Sequence, residues 1–377
     1  MNRPTLIPGL PRIWRGPREI QFGSDPSRAV SLELPDPRAA QILDLLDGFR
    51  SERAALLRAA ELGVPVDQAR ALLDALQAAG LILPAPDLLP TGLPHESRRH
   101  LIGEAAALAM AGKHPADILR RRAACRVLLT GHGRLGAPIA VALAEAGVGS
   151  VQAEMPGTVG AGELAGGPLR GTDLGRPRRE AISDAVLRAA PGLRPHPVRP
   201  SAAPDSRSLS VRDPAGAPPP SVRDPAPRPP SVRDPAARPP SVSDPAVTLV
   251  VQLGHYGPSG VPHLAVTIRE GTPVIGPFVP ASGRPCLRCL ELHRQDRDPA
   301  WPGPPRRPLL DAVEPCAVAT LLAATAFATA EALTHLDGGR PQTLGTAVEI
   351  TAPGHTRRRR WPPHPACPCA TDAHFPP

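Results

Sequence analysis

Residues 126–136 read Arg-Val-Leu-Leu-Thr-Gly-His-Gly-Arg-Leu-Gly, an apolar run that ends in a G-x-G-x-x-G turn formed by Gly131, Gly133 and Gly136. A short, unbroken apolar run bounded by turn residues predicts a parallel strand buried on both faces. A helical stretch follows at 137–146 and stops at Gly147, and 148–154 supplies the next strand. Strand, glycine turn, helix and strand in this order form a nucleotide-type fold, because the glycines let backbone amides approach a phosphate at the helix N-terminus. Glu154, at the end of the second strand, is the candidate for a ribose hydroxyl.

Downstream, a third strand is expected at 193–198. Ser-Val-Arg-Asp-Pro-Ala then begins at Ser210, Ser221 and Ser231, and recurs as Ser-Val-Ser-Asp-Pro-Ala from Ser241. A repeat this rich in proline makes neither helices nor strand ladders, so 199–245 is expected to be a disordered insertion. Long surface insertions cost little free energy, so a neutral expansion is preferred over a docking role. The sheet should resume at 247–253, followed by a helix at 262–270 closed by Gly271 and a strand at 274–279. A buried helix at 315–336 and an alternating strand at 344–350 complete the expected elements.

Upstream, Ile20/Phe22 and Val30/Leu32/Leu34 alternate as half-buried strands do. Three helices are expected next. Ala39, Ile42, Leu43 and Leu46 line the first, Ser51 caps the second, and Asp67 caps a third that ends at Gly80. Residues 81–83 read as a returning strand, which gives 1–83 a winged-helix α+β shape. Residues 84–122 are expected to form a proline-spaced linker and a helix at 100–111.

Composition narrows the function classes. The 377 residues include 54 prolines, and only 2% are aromatic, so Ala, Leu and Val must fill the cores. The formal charge of +8 comes almost wholly from scattered arginines, densest at Arg357–Arg360. So few aromatics provide no base-stacking platform, and the expected third helix of the first block carries Arg70 against Asp67 and Asp74. Nucleic acid is therefore disfavoured as a partner. No segment has the unbroken apolar length of a membrane span, and the N-terminus lacks a signal-peptide pattern, so a cytoplasmic protein is expected.

In a reducing compartment, cysteines point to metal rather than disulfides. Cys286-Leu-Arg-Cys289 and Cys367-Pro-Cys369 are two close pairs far apart in sequence, the pattern of a tetrahedral four-cysteine structural zinc site. Cys125 and Cys316 read as core residues, the latter on a buried helix, and His364 reads as a solvated side chain.

Taken together, the first strand, the glycine turn, the C-x-x-C and the terminal cysteine pair resemble the ThiF/ubiquitin-activating-enzyme-like adenylyltransferase family. The resemblance implies a Rossmann-like ThiF-type α/β domain in two parts, 123–198 and 246–370, with a tail at 371–377. It also implies Mg-ATP as cofactor and a homodimer. Residues 1–83 resemble PqqD-like peptide-recognition domains through Trp14-Arg15, Gln21-Phe22-Gly23, Leu46-Asp47-Gly48 and Ala79-Gly80-Leu81. The combination, together with Cys286 to Trp301, is similar to the leader-peptide-binding ThiF-like proteins of thiazole/oxazole-modified peptide (bacteriocin) biosynthesis. Such proteins present a precursor peptide to a partner cyclodehydratase.

Carried over residue by residue, the resemblance puts Gly131, Gly133, Gly136, Glu154 and Arg178 at the nucleotide. Arg178 stands where the family has a phosphate-binding Lys. The family's magnesium-holding Asp has no counterpart in Gln252-Leu-Gly-His-Tyr-Gly257. The expected function is therefore a catalytically degenerate, leader-binding member with no assigned catalytic residue. The alternative is an active ATP-dependent adenylyltransferase acting on a peptide or carrier-protein carboxylate, with Asp173 or Asp184 replacing the metal ligand. Redox use of NAD(P) would rest on the glycine turn alone, with nothing resembling a hydride-transfer site.

Overall fold

The computed structural model describes residues 3–34, 36–192, 247–254, 259–303 and 314–371. The expected strand at 193–198, the repeat insertion at 199–245, residues 255–257 and the tail beyond 371 lie outside the described residues.

The chain opens with β1 (Pro4–Leu6), β2 (Arg12–Trp14), β3 (Glu19–Phe22) and β4 (Val30–Glu33). β2, β3 and β4 form an antiparallel sheet, and the register pairs Ile20 with Leu32 and Phe22 with Val30. That register puts the alternating apolar residues on one face, as their period of two requires. The first expected helix is a 3-10 helix, Pro37–Leu45, whose capping Asp36 accepts the Arg38 N–H at 2.8 Å. Ser51 caps α1 (Glu52–Glu61) by accepting the Ala54 N–H at 3.2 Å. In α2 (Val66–Ala78), Pro65 takes the cap position rather than Asp67. Asp67 instead lies in the first turn, where its charge suits the positive end of the helix. β5 (Ile82–Pro84) then pairs antiparallel with β1. Leu6, Ile20, Phe22, Leu34, Ile42 and Leu76 are buried together beneath these elements. Each large apolar side chain so buried contributes roughly 1.5–3 kcal/mol.

Where one helix is expected at 100–111, the chain forms α3 (Ala85–Leu88), α4 (His95–Met110) and α5 (Pro115–Ala124). The buried Arg122 on α5 donates to both carboxylate oxygens of Asp337 at 2.7 and 2.8 Å, to Glu104 at 2.6 Å and to the Ala146 carbonyl at 3.0 Å. Each nitrogen of this guanidinium thus meets an acceptor, which offsets the cost of burying its charge.

The remaining elements are β6 (Arg126–Gly131), α6 (Gly136–Glu145), β7 (Ser150–Glu154), α7 (Arg178–Ala189), β8 (Leu249–Leu253), β9 (His263–Arg269), β10 (Thr272–Val279), α8 (Leu287–Arg297), α9 (Val318–Leu336), β11 (Thr346–Ala352), β12 (His355–Arg360) and α10 (Pro368–Thr371). Seven strands form one sheet in the order β12-β11-β10-β9-β8-β6-β7. β7, β6, β8 and β9 run parallel, and β10, β11 and β12 are added antiparallel. Val127, Leu129, Ile139, Leu143 and Val251 share a core with one face of α9, formed by Leu321, Ala324, Ala328, Ala332 and Leu336.

Several expectations are corrected here. The segment expected to be a helix at 262–270 is strand β9. Both its faces are buried, so its apolar run carries no period to distinguish strand from helix. Gly271 does not end a helix. With Glu270 (φ 49°) and Gly271 (φ 85°) it makes a two-residue hairpin between the paired Arg269 and Thr272, and two positive φ values mark the turn that suits twisted strands. α9 starts at Val318, so Cys316 lies ahead of it, half-buried. Arg357–Arg360 belong to β12, so the strand expected at 344–350 is not the last. Among the described residues, no helix is long and apolar enough to cross a membrane.

Candidate functional site

β6 delivers Gly131 against β8. A Cβ at Gly131 would fall 1.9 Å from the Leu253 carbonyl oxygen, and the neighbouring His132 N–H donates to that oxygen at 3.0 Å. Gly133 has φ +117°, a conformation that side chains avoid. Gly136 opens α6, where a Cβ would press to 2.5 Å from the Met155 sulfur at the end of β7. Gly131 is thus required by a backbone contact and Gly133 by its backbone conformation, whereas Gly136 meets side-chain atoms.

The contact at Gly133 is with a side chain the sequence reading did not single out. A Cβ there would lie 3.0 Å from each carboxylate oxygen of Glu314. The Arg134 N–H donates to Glu314 Oε2 at 2.7 Å, while the Arg134 guanidinium donates to the carbonyls of Glu314 (3.2 Å) and Cys316 (2.9 Å). Burial pushes the Glu314 carboxyl up, partly opposed by the Arg134 N–H and its positive charge. No local pattern announces this residue, because the turn it meets lies 180 positions earlier.

The other candidate nucleotide residues are placed differently from one another. Glu154 is exposed at the end of β7. Arg178, the first residue of α7, is 3% exposed. It grips both oxygens of Glu163, with Nε donating to Oε2 and Nη2 donating to Oε1, each at 2.9 Å. It also donates to the carbonyls of Thr158, at 2.7 Å, and Pro156. Glu163 in turn accepts the Gly160 N–H at 3.0 Å. Asp173 is buried; the Arg170 N–H and the Arg176 guanidinium at 2.8 Å hold its carboxyl below the usual range. Asp184 pairs with the same Arg176 at 2.7 Å. Both proposed substitutes for the magnesium ligand are thus tied to arginine.

The four cysteines of the two pairs converge. Cys286 stands at the N-cap of α8 with Cys289 in its first turn, and Cys367 and Cys369 flank Pro368 at the start of α10. The sulfurs of Cys286 lie 3.8 Å from Cys289 and 3.5 Å from Cys367, and Cys289 lies 3.3 Å from Cys369. Four thiolates around one ion at ~2.3 Å would place neighbouring sulfurs about 3.8 Å apart, so the donor set fits a tetrahedral metal. Burial and the crowded thiols push Cys369 and Cys367 up. Burial works in the same direction on Cys289, but the His364 backbone and the neighbouring sulfurs outweigh it and hold that thiol down. A cation at the centre would favour the thiolates over the thiols.

His364 is not solvated, contrary to the sequence reading. It is buried and accepts the Ala366 N–H at Nδ1 (3.1 Å), which leaves Nε2 to donate to Asp296 at 2.7 Å. This bond ties the loop ahead of Cys367 to α8, the helix that carries the other cysteine pair.

No protein-family model and no curated protein matches the chain. Solved structures do. Escherichia coli MccB with ATP is 13% identical, has a TM-score of 0.53, and is aligned over 99% of this chain and 100% of its own. E. coli MccB with MccA-N7isoASN is 13% identical, with a TM-score of 0.54 and the same coverage. PaaA is 14% identical at TM-score 0.55, over 93% of this chain and 98% of its own. The microcin C7 biosynthetic enzyme MccB in complex with N-formylated MccA has a TM-score of 0.52 at 12% identity, over 97% and 99%. Along nearly its whole length, then, this chain has the fold of MccB and PaaA.

Proposed function

We propose that this chain is a ThiF-like protein of bacteriocin biosynthesis that takes up a precursor peptide, with residues 1–83 as a PqqD-like leader-binding block. The observation that carries the reading is the end-to-end correspondence, N-terminal block included, with MccB structures that hold MccA. β2 and β4 are the outer strands of the small sheet, and β2 presents exposed Ile13 and Trp14. A leader peptide added there as a further strand would gain main-chain hydrogen bonds and apolar cover. Zinc is the metal that best suits four thiolates in a closed cluster. The protein works in the cytoplasm, as a homodimer, and hands the peptide to a partner cyclodehydratase.

Catalytic degeneracy is supported by three features. Arg178 is fully engaged by Glu163 and two carbonyls, Asp173 and Asp184 are held by Arg176, and no carboxylate stands at Gln252-Leu253-Gly254. The test is fluorescence anisotropy of labelled precursor peptides on the full-length, zinc-loaded protein. Binding that disappears in Ile13→Asp and Trp14→Asp supports the reading; peptides that never bind remove it. The intact glycine turn favours a second reading, an active adenylyltransferase, and peptide-dependent ATP–pyrophosphate exchange tests that.

A further inference from the structure

The glycine turn is filled from within the chain. Two observations meet there: a glycine turn ahead of the ten-residue helix α6, and an anionic side chain from a distant segment that takes the Arg134 N–H of that turn. Glu314 Oε2 takes the Arg134 N–H at 2.7 Å, and both its oxygens lie 3.0 Å from where a Cβ on Gly133 would stand. Arg134 also anchors the backbone of the same segment through the carbonyls of Glu314 and Cys316. A carboxylate oxygen and a phosphate oxygen ask the same of such a turn, namely N–H donors and the positive end of a helix. Two anions cannot share it, because like charges in contact repel strongly where water is excluded. The nearby Arg178 does not relieve this, since its guanidinium is spent on Glu163.

We propose that the Glu314 carboxylate holds the phosphate place of the nucleotide turn, so that a nucleoside triphosphate enters only when Glu314 leaves. The inference rests on reading the turn as a nucleotide-phosphate site. It makes the segment ahead of α9 an internal competitor. The apparent affinity for nucleotide is then reduced by the fraction of molecules in which Glu314 stays seated.

The experiment is calorimetric titration of full-length, zinc-loaded protein with Mg-ATP and, separately, with adenosine, which has no phosphate. Wild type, Glu314→Ala and Glu314→Gln are compared. The expected result is ATP binding tightened about tenfold or more in Glu314→Ala. Glu314→Gln should shift in the same direction by less, with adenosine unchanged in both. Equal ATP behaviour in all three proteins, including no binding in any, overturns the proposal. So does an equal gain for ATP and adenosine, which would mean general loosening rather than competition for one place. Zinc content and the thermal midpoint report folding, and Glu314→Gln, which keeps the side-chain shape, carries the test if the alanine variant fails to fold. Peptide anisotropy on the same preparations separates the two readings. Peptide binding without an ATP response keeps the function and removes the competitor, and the converse keeps the competitor alone.

Discussion

The glycine turn and the four-cysteine cluster both announce a ligand in the sequence, yet the folded chain treats them in opposite ways. At the turn, the protein supplies its own anion: Glu314 answers the Arg134 N–H, and Arg178 is answered by Glu163. At the cluster, four acidic groups face one another, and Cys369 and Cys367 are pushed up by burial and crowding. One site is electrostatically complete within the chain; the other is a donor set that fits a cation. A motif therefore speaks for a bound ligand only after the charges around it have been counted.

The largest effect should come from the incomplete site. Structural zinc contributes about 10 kcal/mol or more of apparent binding free energy, so Cys289→Ser, measured by metal content and thermal unfolding, should lose the ion and unfold the region spanning α8 and α10. A metal-free protein with an unchanged midpoint would erase the contrast. Next, Arg178→Ala leaves Glu163 as a largely buried charge answered by the Gly160 N–H but by no cation of its own pair. It should cost about 3–5 kcal/mol in urea denaturation, with the Arg178→Met/Glu163→Leu pair costing much less. Equal losses in the single and double variants would show that the pair does not balance itself. Smaller again is Gly133→Ala, at about 1–3 kcal/mol for its left-handed backbone. Part of that cost should vanish in a Glu314→Ala background, because the carboxylate is what the new Cβ would crowd.

The smallest effect sharpens the reading of acid lability. Acid releases a thiolate-bound metal, but it also titrates histidines far from the cluster. Burial pushes His263 below its ordinary value, so its folded state favours the neutral ring. Its contribution is present above about pH 6.5 and is lost as pH falls from there through the folded value. His263→Gln should flatten the pH dependence of the denaturation midpoint between about pH 7 and 5 without altering metal content. An unchanged slope would assign the acid effect to the cysteine centre or to His335, which burial also pushes down.

What could be read in advance follows from which interactions are local. β6, the turn, α6 and β7 are contiguous, and the cysteine pairs carry their geometry in their spacing, so both were legible. β9 was not, because a strand buried on both faces shows no alternation. The partners of Gly133 and Arg178 were not, because Glu314 and Glu163 reach them only through the fold. His364 looked like any polar residue among prolines, and its burial beside His293, with the bond to Asp296 on α8, comes only from the fold. Arg357–Arg360 showed no apolar period because β12 is held by its ladder to β11 rather than by burial.

That last strand has a bearing on how the molecule behaves in a crowd. An outermost strand ordinarily offers its spare backbone groups to any passing extended chain, and stacked copies are the road to insoluble fibres. Here the outer margin of the seven-stranded sheet carries four successive guanidinium groups, most of them exposed. Another copy approaching this edge in register would bring its own four cations against these, so this edge resists being extended by its own kind.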